Sequence, residues 1–110
     1  MLKESNFVKI RVSVPLEAAD QVRQALGQAG AGFQGNYEFA SGSIKQIGRF
    51  KPTSSASPAI GEIGKLEKVE EELIETLCRK DLVETAIAAI KKAHPYEEPA
   101  IDIVPRYDIV

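Results

Sequence analysis

Apolar and polar residues alternate near the start of the chain. Between residues 7 and 14 every second residue is a valine or isoleucine, separated from the next by a charged or polar residue. This period of two, with β-branched side chains on one side, predicts a half-buried β-strand. Pro15 closes it, because proline lacks the N–H that a strand ladder needs. Apolar residues then recur at helical spacing over 16–29, which predicts an amphipathic helix with Gly30 as its C-terminal cap.

The next segment, residues 32–39, carries three aromatic residues at odd-numbered positions. Side chains two residues apart share one face of an extended chain, so this pattern predicts a second strand. From residue 40 to residue 64 the chain holds four Gly, two Pro and six Ser or Thr, which predicts a long loop. Loops of this length in a compact domain are often functional. Ile44, Ile47 and Phe50 indicate that part of this loop pairs as a short strand.

Residues 65–78 fit two kinds of secondary structure. Leucine and valine recur there at helical spacing, and the glutamates between them have high helix propensity, so propensity favours a helix. As a strand, Val69, Leu73 and Leu77 would share a face, but Glu71 would lie between them.

The last two elements have clearer patterns. Asp81 followed by Glu84 is a capping-box pattern that predicts the start of a helix, and Pro95 ends it. Residues 100–104 read as a final strand. If 65–78 is a strand, the order is β-α-β-β-α-β, a ferredoxin-like α+β sandwich with two helices on one face of an antiparallel sheet. The symmetry of two β-α-β halves favours this fold over local propensity.

Size and composition narrow the class of protein. The 110 residues suffice for one domain, with a core of about residues 7–106. The formal net charge is −2, with no strong basic stripe, so we expect no nucleic-acid partner. No apolar run is long enough to cross a membrane, and we expect no membrane partner. A single cysteine cannot form an internal disulfide, which favours a cytoplasmic location.

Two parts of the sequence carry a specific resemblance. The first comprises residues 48–52, 57–61 and 65–71, and the second is 93–102, which contains the string His-Pro-Tyr-Glu-Glu-Pro. Over about residues 7–106 the chain resembles the inserted domain of the YqfO-type family, which is also called the NGG-interacting-factor-three-like family. The resemblance is that of a stand-alone protein to one domain of these longer proteins. That inserted domain is itself similar in fold to CutA and to the PII signalling proteins.

The resemblance implies a PII/CutA-like fold, a strand over 65–78 and a homotrimer, because related domains associate through their sheets. Full-length members also carry flanking segments that supply a dinuclear metal site, and these are absent from the 110 residues. We therefore do not expect the chain to have the GTP cyclohydrolase-type activity that is attributed to full-length relatives. The chain departs from the family pattern at Gln46, where relatives often have the first glycine of Gly-x-Gly-x-Phe.

His94, Glu97 and Glu98 form a candidate set of nitrogen and oxygen ligands for a divalent ion. We expect the two neighbouring prolines to hold the chain extended, so that the adjacent glutamates point to opposite sides. One chain would then offer two ligands, and a trimer could complete a site from different chains. The alternative is structural: the prolines shape the turn into the last strand, and Tyr96 packs.

Lys45, Arg49 and Lys51, close to Gly42 and Gly48, form a candidate anion-binding site. Glycine lets backbone N–H groups approach an anion, and arginine offers two parallel donors. The sequence contains neither a P-loop nor a dinucleotide-binding glycine pattern. The alternative is a set of solvated charges on a hairpin.

These observations predict a non-enzymatic module that binds a small anionic ligand or a protein through the 40–64 loop and the clefts between subunits. The sequence offers no convincing acid–base or nucleophile pair, and we expect no cofactor. One alternative is a divalent-metal-binding protein of the CutA type that uses His94 with carboxylates. Another is a fragment or accessory of a YqfO-type metal-dependent hydrolase.

Overall fold

Four antiparallel strands form a sheet whose one face is covered by two helices. The computed structural model describes all residues, 1–110. The strands are β1 (Leu2–Pro15), β2 (Gly42–Phe50), β3 (Glu67–Arg79) and β4 (Ile101–Ile109), and the helices are α1 (Ala19–Gln28) and α2 (Val83–Ala93). A short 3-10 turn precedes each helix. The sheet order is β2-β3-β1-β4, which confirms the predicted β-α-β-β-α-β fold. Neither helix has the length and apolar character that crossing a membrane requires.

The hydrophobic core lies between the helices and one face of the sheet. The predicted alternation in β1 is confirmed, because all four of its aliphatic residues from Val8 to Val14 are buried there. Strand β3 contributes Ile74 and Cys78 to this face. Its Leu73 and Leu77 pair with Ser13 and Lys9 of β1 and lie on the opposite face. That opposite face, called here the open face, has no helix over it.

The predicted strand at residues 32–39 is wrong. These residues form turns with a single bridge between Gln34 and Tyr37. Gly32 and Gly35 have φ angles of 79° and 59°, which turn the chain away from an extended path. The second strand is β2, which lies inside the predicted 40–64 loop, so the short strand that Ile44, Ile47 and Phe50 indicated there is confirmed. The irregular connection between β2 and β3 is therefore residues 51–66, called here the 51–66 loop.

Residues 67–79 form a strand, so the helix that propensity favoured there is wrong and the strand that the resemblance implied is confirmed. Strand β3 pairs with β1 on one side and with β2 on the other. Two full ladders of hydrogen bonds outweigh the helix propensity of its glutamates, which is a difference of tenths of a kcal/mol per residue.

The helix ends test two capping predictions. Gly30 caps α1 as predicted: its φ is 96°, its N–H donates to Gly27 O at 3.1 Å, and the N–H of Ala31 donates to Leu26 O at 3.0 Å. The capping box at Asp81 is wrong. Helix α2 begins at Val83 without a side-chain cap, and the Asp81 carboxylate instead accepts a hydrogen bond from Arg79 at 2.6 Å.

Strands β1 and β4 extend beyond their predicted ends and meet in a ribbon. Past an irregularity between Glu4 and Val8, residues 2–4 pair with residues 107–109. The N–H of Val110 donates to Met1 O at 2.8 Å, so the two chain ends lie side by side. Pro105 lies within β4, which is possible because β4 is an edge strand.

Candidate functional site

A cavity of about 490 Å³ lies under the 51–66 loop. Its walls come from β2, from the 51–66 loop, from Ser13 of β1, from Glu71 of β3 and from residues 96–100 after α2. The loop is closed at its base, where the N–H of Gly64 donates to Pro52 O at 2.8 Å. It is joined to the opposite wall where the N–H of Ser57 donates to Glu97 Oε1 at 2.9 Å. These contacts hold the loop over the cavity.

A buried carboxylate forms the floor of this cavity. Glu71 is only 4% exposed, although it lies on the open face of the sheet. Its Oε1 accepts a hydrogen bond from Gln46 Nε2 at 3.0 Å, and its Oε2 accepts one from the hydroxyl of Tyr96 at 2.7 Å. Burial, and then the hydrogen bond to Glu71, raise the pKa of Tyr96 well above its usual range. The Tyr96 hydroxyl therefore remains protonated and serves as a donor.

Gly48 provides the space that the Glu71 carboxylate occupies. A Cβ atom added to Gly48 would lie 2.2 Å from Glu71 Oε1. Phe50, two residues further along β2, contacts Tyr96 edge to face, with ring centroids 5.9 Å apart. The Glu71 carboxylate therefore lies beside an aromatic wall formed by Phe50 and Tyr96. It fits against β2 because Gly48 has no side chain at that position.

His94 is buried, and both of its ring nitrogens have partners. The N–H of Tyr96 donates to Nδ1 at 3.1 Å, so the ring proton lies on Nε2, which donates to Ser13 O at 2.6 Å. The sequence treated His94, Glu97 and Glu98 as a candidate metal set. Here a metal ion would have to displace one of the two hydrogen bonds of the imidazole ring.

Glu97 and Glu98 belong to a bend rather than to an extended segment, so the expected extended chain at this point is wrong. Both residues line the cavity, together with Glu71. No three His, Cys, Asp or Glu side chains anywhere in the chain are grouped closely enough to hold a metal ion.

Only two of the three basic residues predicted to bind an anion lie at the cavity. Arg49 and Lys51 are exposed and line the cavity. Lys45 is exposed but outside it, on the face of β2 opposite Gln46. The cavity lining therefore carries two basic side chains and three acidic ones, of which the buried Glu71 is the least accessible.

A second hollow, of about 560 Å³, lies on the open face between β1, β2 and β3. Its apolar residues are Ala40, Ile44, Leu73 and Leu77. Beside them, an ion pair between Lys9 and Glu75 lowers the pKa of the Glu75 carboxyl. Arg11 Nε lies 3.5 Å from Glu75 Oε2 without a hydrogen bond to any group.

Sequence reasoning missed the central residue of the site, Glu71. A signal existed: in the strand interpretation of 65–78, Glu71 lies in a row of apolar residues, where an unpaired carboxylate is unfavourable. The Tyr96 hydroxyl and the Gln46 amide that satisfy it come from distant parts of the sequence, which no local pattern connects.

The fold is that of a small PII/CutA-like α+β protein. In fold the chain is similar to the periplasmic divalent cation tolerance protein CutA from Archaeoglobus fulgidus, with a TM-score of 0.66 and 19% identity, over 91% of this chain and 83% of that one. A Bacillus cereus protein related to NIF3 is more similar, with a TM-score of 0.80 and 40% identity, over 96% of this chain and 26% of that one.

Among curated proteins, the chain is 48% identical over 100 residues to a GTP cyclohydrolase 1 type 2 homolog of Halalkalibacterium halodurans. That match covers 91% of this chain but only 27% of the relative, so the chain spans about a quarter of the relative's length. No protein-family model matches the chain. The similarities to the Bacillus cereus and Halalkalibacterium halodurans proteins confirm the resemblance to a domain of the YqfO-type, NIF3-related proteins.

Proposed function

We propose that the chain is a non-enzymatic binding module that takes a small ligand into the cavity under the 51–66 loop. The cavity itself is the observation that carries this proposal: about 490 Å³ is ordinary for a small-molecule site, and polar groups converge on its floor. Arg49 and Lys51 among its lining residues supply charge for an anionic group on the ligand.

A cytoplasmic location agrees with a single, buried, free cysteine, whose pKa is raised by burial.

Titration with inorganic pyrophosphate tests the anionic part of this proposal. The double variant Arg49→Ala/Lys51→Ala removes both basic residues of the cavity, and we expect its affinity to fall about tenfold at low salt. Lys45→Ala is the matched control: it removes an exposed charge outside the cavity, and its affinity should change less than twofold. Failure of pyrophosphate to bind, or equal affinities in the double variant and the parent, would contradict the proposal.

Divalent-cation binding is a second candidate: Glu71, Glu97 and Glu98 line one cavity, but they are not grouped closely enough to hold an ion by themselves, so such a site would need ligands from a second chain. Metal analysis of the dialysed protein tests it. A retained ion that is lost in Glu98→Gln would support this role. We expect His94→Ala to leave the metal content unchanged, because both ring nitrogens are already bonded within the protein.

A role as a fragment or accessory of a YqfO-type hydrolase is a third candidate, since the relatives are named GTP cyclohydrolase 1 type 2 homologs. For the chain alone we propose no turnover of GTP, because its single histidine is held in two internal hydrogen bonds. Release of product from GTP by the purified chain, abolished by His94→Ala, would contradict the non-enzymatic proposal.

A further inference from the structure

The acceptor capacity of Glu71 indicates what kind of group the cavity binds. A carboxylate has about four lone-pair sites, and Glu71 uses one on each oxygen, for Gln46 and for Tyr96. It forms no salt bridge, since no lysine, arginine or histidine nitrogen lies within 4.0 Å of its oxygens. A buried charge held by two neutral donors is only partly compensated. Its remaining acceptor sites suit further donors that enter from the cavity.

The surroundings of Glu71 favour a flat partner over a compact one. Phe50 and Tyr96 form an aromatic wall beside the carboxylate, and aromatic rings pack well against planar groups. Both carboxylate oxygens have free lone pairs, so two adjacent N–H groups on one plane could be accepted in parallel. A simple ammonium group is compact rather than planar, so it would not stack on the aromatic wall while it pairs with both carboxylate oxygens.

We propose that the cavity recognises a planar group with two adjacent N–H donors, paired side by side with the Glu71 carboxylate. A guanidinium group and the amino-lactam edge of a guanine base both have this chemistry. This inference rests on the proposed ligand-binding function and names the part of the ligand that enters deepest. An anionic group on the same ligand would then lie towards Arg49 and Lys51. The Tyr96 hydroxyl and Gln46 amide hold the carboxylate in place for this pairing.

Two matched ligand pairs test the inference on the unmodified protein. GMP and IMP differ by the 2-amino group, which is one of the two donors. Agmatine and cadaverine compare a guanidinium with an amine on a similar aliphatic chain. We expect at least one pair to show a preference of about tenfold for the two-donor member, as a good bidentate pair gives in base recognition. The pair that responds identifies the source of the group. Equal affinities within both pairs would overturn the inference.

The variant Glu71→Gln provides the protein side of the test, since it keeps the size of the side chain and replaces one acceptor with a donor. We expect the preference to fall below about twofold, whereas Glu70→Gln, the exposed neighbour on the opposite face of β3, should retain it. A preference that survives in Glu71→Gln would overturn the inference. If the folded yield of Glu71→Gln is too low, Tyr96→Phe removes one of the two donors that orient the carboxylate and should weaken the same preference.

The outcomes separate this inference from the proposed function. Pyrophosphate binding that depends on Arg49 and Lys51, without a preference in either ligand pair, would overturn only the assignment to Glu71. Absence of binding for every probe would overturn both.

Discussion

Gly30 determines how α1 ends. Its φ of 96° lies in the region that glycine adopts without strain, and the two hydrogen bonds of the cap depend on this conformation. A Cβ atom at this position would also approach Leu82 Cδ1 to 3.0 Å. Glycine at this position therefore allows the hydrogen bonds that end α1. It also leaves room for the close packing against the turn before α2.

We expect Gly30→Ala to lower the free energy of unfolding by about 1 kcal/mol, because alanine is strained at positive φ. Urea denaturation of the variant and the parent measures the difference. Gly42→Ala is the control, since a Cβ atom there meets nothing within 4 Å and its φ is not positive, and its effect should stay within about 0.5 kcal/mol. Equal stabilities of Gly30→Ala and Gly42→Ala would contradict this explanation of the cap.

Individual elements differ in how far the sequence could predict them. Strand β1 was predictable because one of its faces is buried, which imposes a clear alternation. Strand β2 is an exposed edge strand with no buried residue, so Ile44, Ile47 and Phe50 indicated only a short strand there, and the aromatic residues of 32–39 gave a stronger but false signal. The cavity could not be predicted, because it requires that Gln46, Glu71 and Tyr96 meet across three distant parts of the chain.

Helix α1 is joined to β3 by an ion pair that should make stability depend on pH. Arg23 Nη1 lies 2.7 Å from Glu72 Oε1, and this hydrogen bond lowers the pKa of Glu72 below its ordinary 4.5. A carboxyl group whose pKa is lower in the folded state contributes its full stabilisation above the unfolded pKa. The contribution is lost as the pH falls below about 4.5 towards the folded-state pKa.

Replacing the arginine should remove this contribution. We expect Arg23→Gln to lower the free energy of unfolding at neutral pH by about 1 kcal/mol or less, and the difference from the parent to shrink at about pH 3. Urea denaturation at several pH values gives both quantities. Lys45→Gln, which removes a lysine without an ion pair, should track the parent at every pH. A constant difference between Arg23→Gln and the parent would show that the pair has no role in the pH dependence.

The whole molecule is more extended than a compact monomer of its size. Its radius of gyration is 15.2 Å, against about 13 Å expected for 110 residues. Its accessible surface is 7275 Å², against about 6000 Å² for a compact 12.0 kDa chain. Exposed apolar residues on the open face, with Ile44 at 63%, contribute to this excess. The family resemblance implies a homotrimer, and we propose that in it neighbouring copies cover the apolar residues of the open face.

If the chain forms this homotrimer, light scattering should give about three times the 12.0 kDa of one chain. Ile44→Lys places a charge on the open face and should shift the mass towards that of a monomer, with the fold preserved because the residue is outside the core. Ile47→Lys, on the opposite face of the same strand and 48% exposed, is the matched control and should leave the mass unchanged. A monomeric parent at micromolar concentration would contradict the trimer.

The adjacency of Met1 and Val110 affects how this domain can be combined with other chains. Because the two ends are hydrogen-bonded neighbours in one ribbon, they leave the fold at nearly the same point and are separated by about the spacing of adjacent strands, 5 Å. A surface turn of a host protein already spans such a distance, so it could receive the domain through two short peptide links without separating its own strands. The domain would then project from its host on a two-stranded stalk.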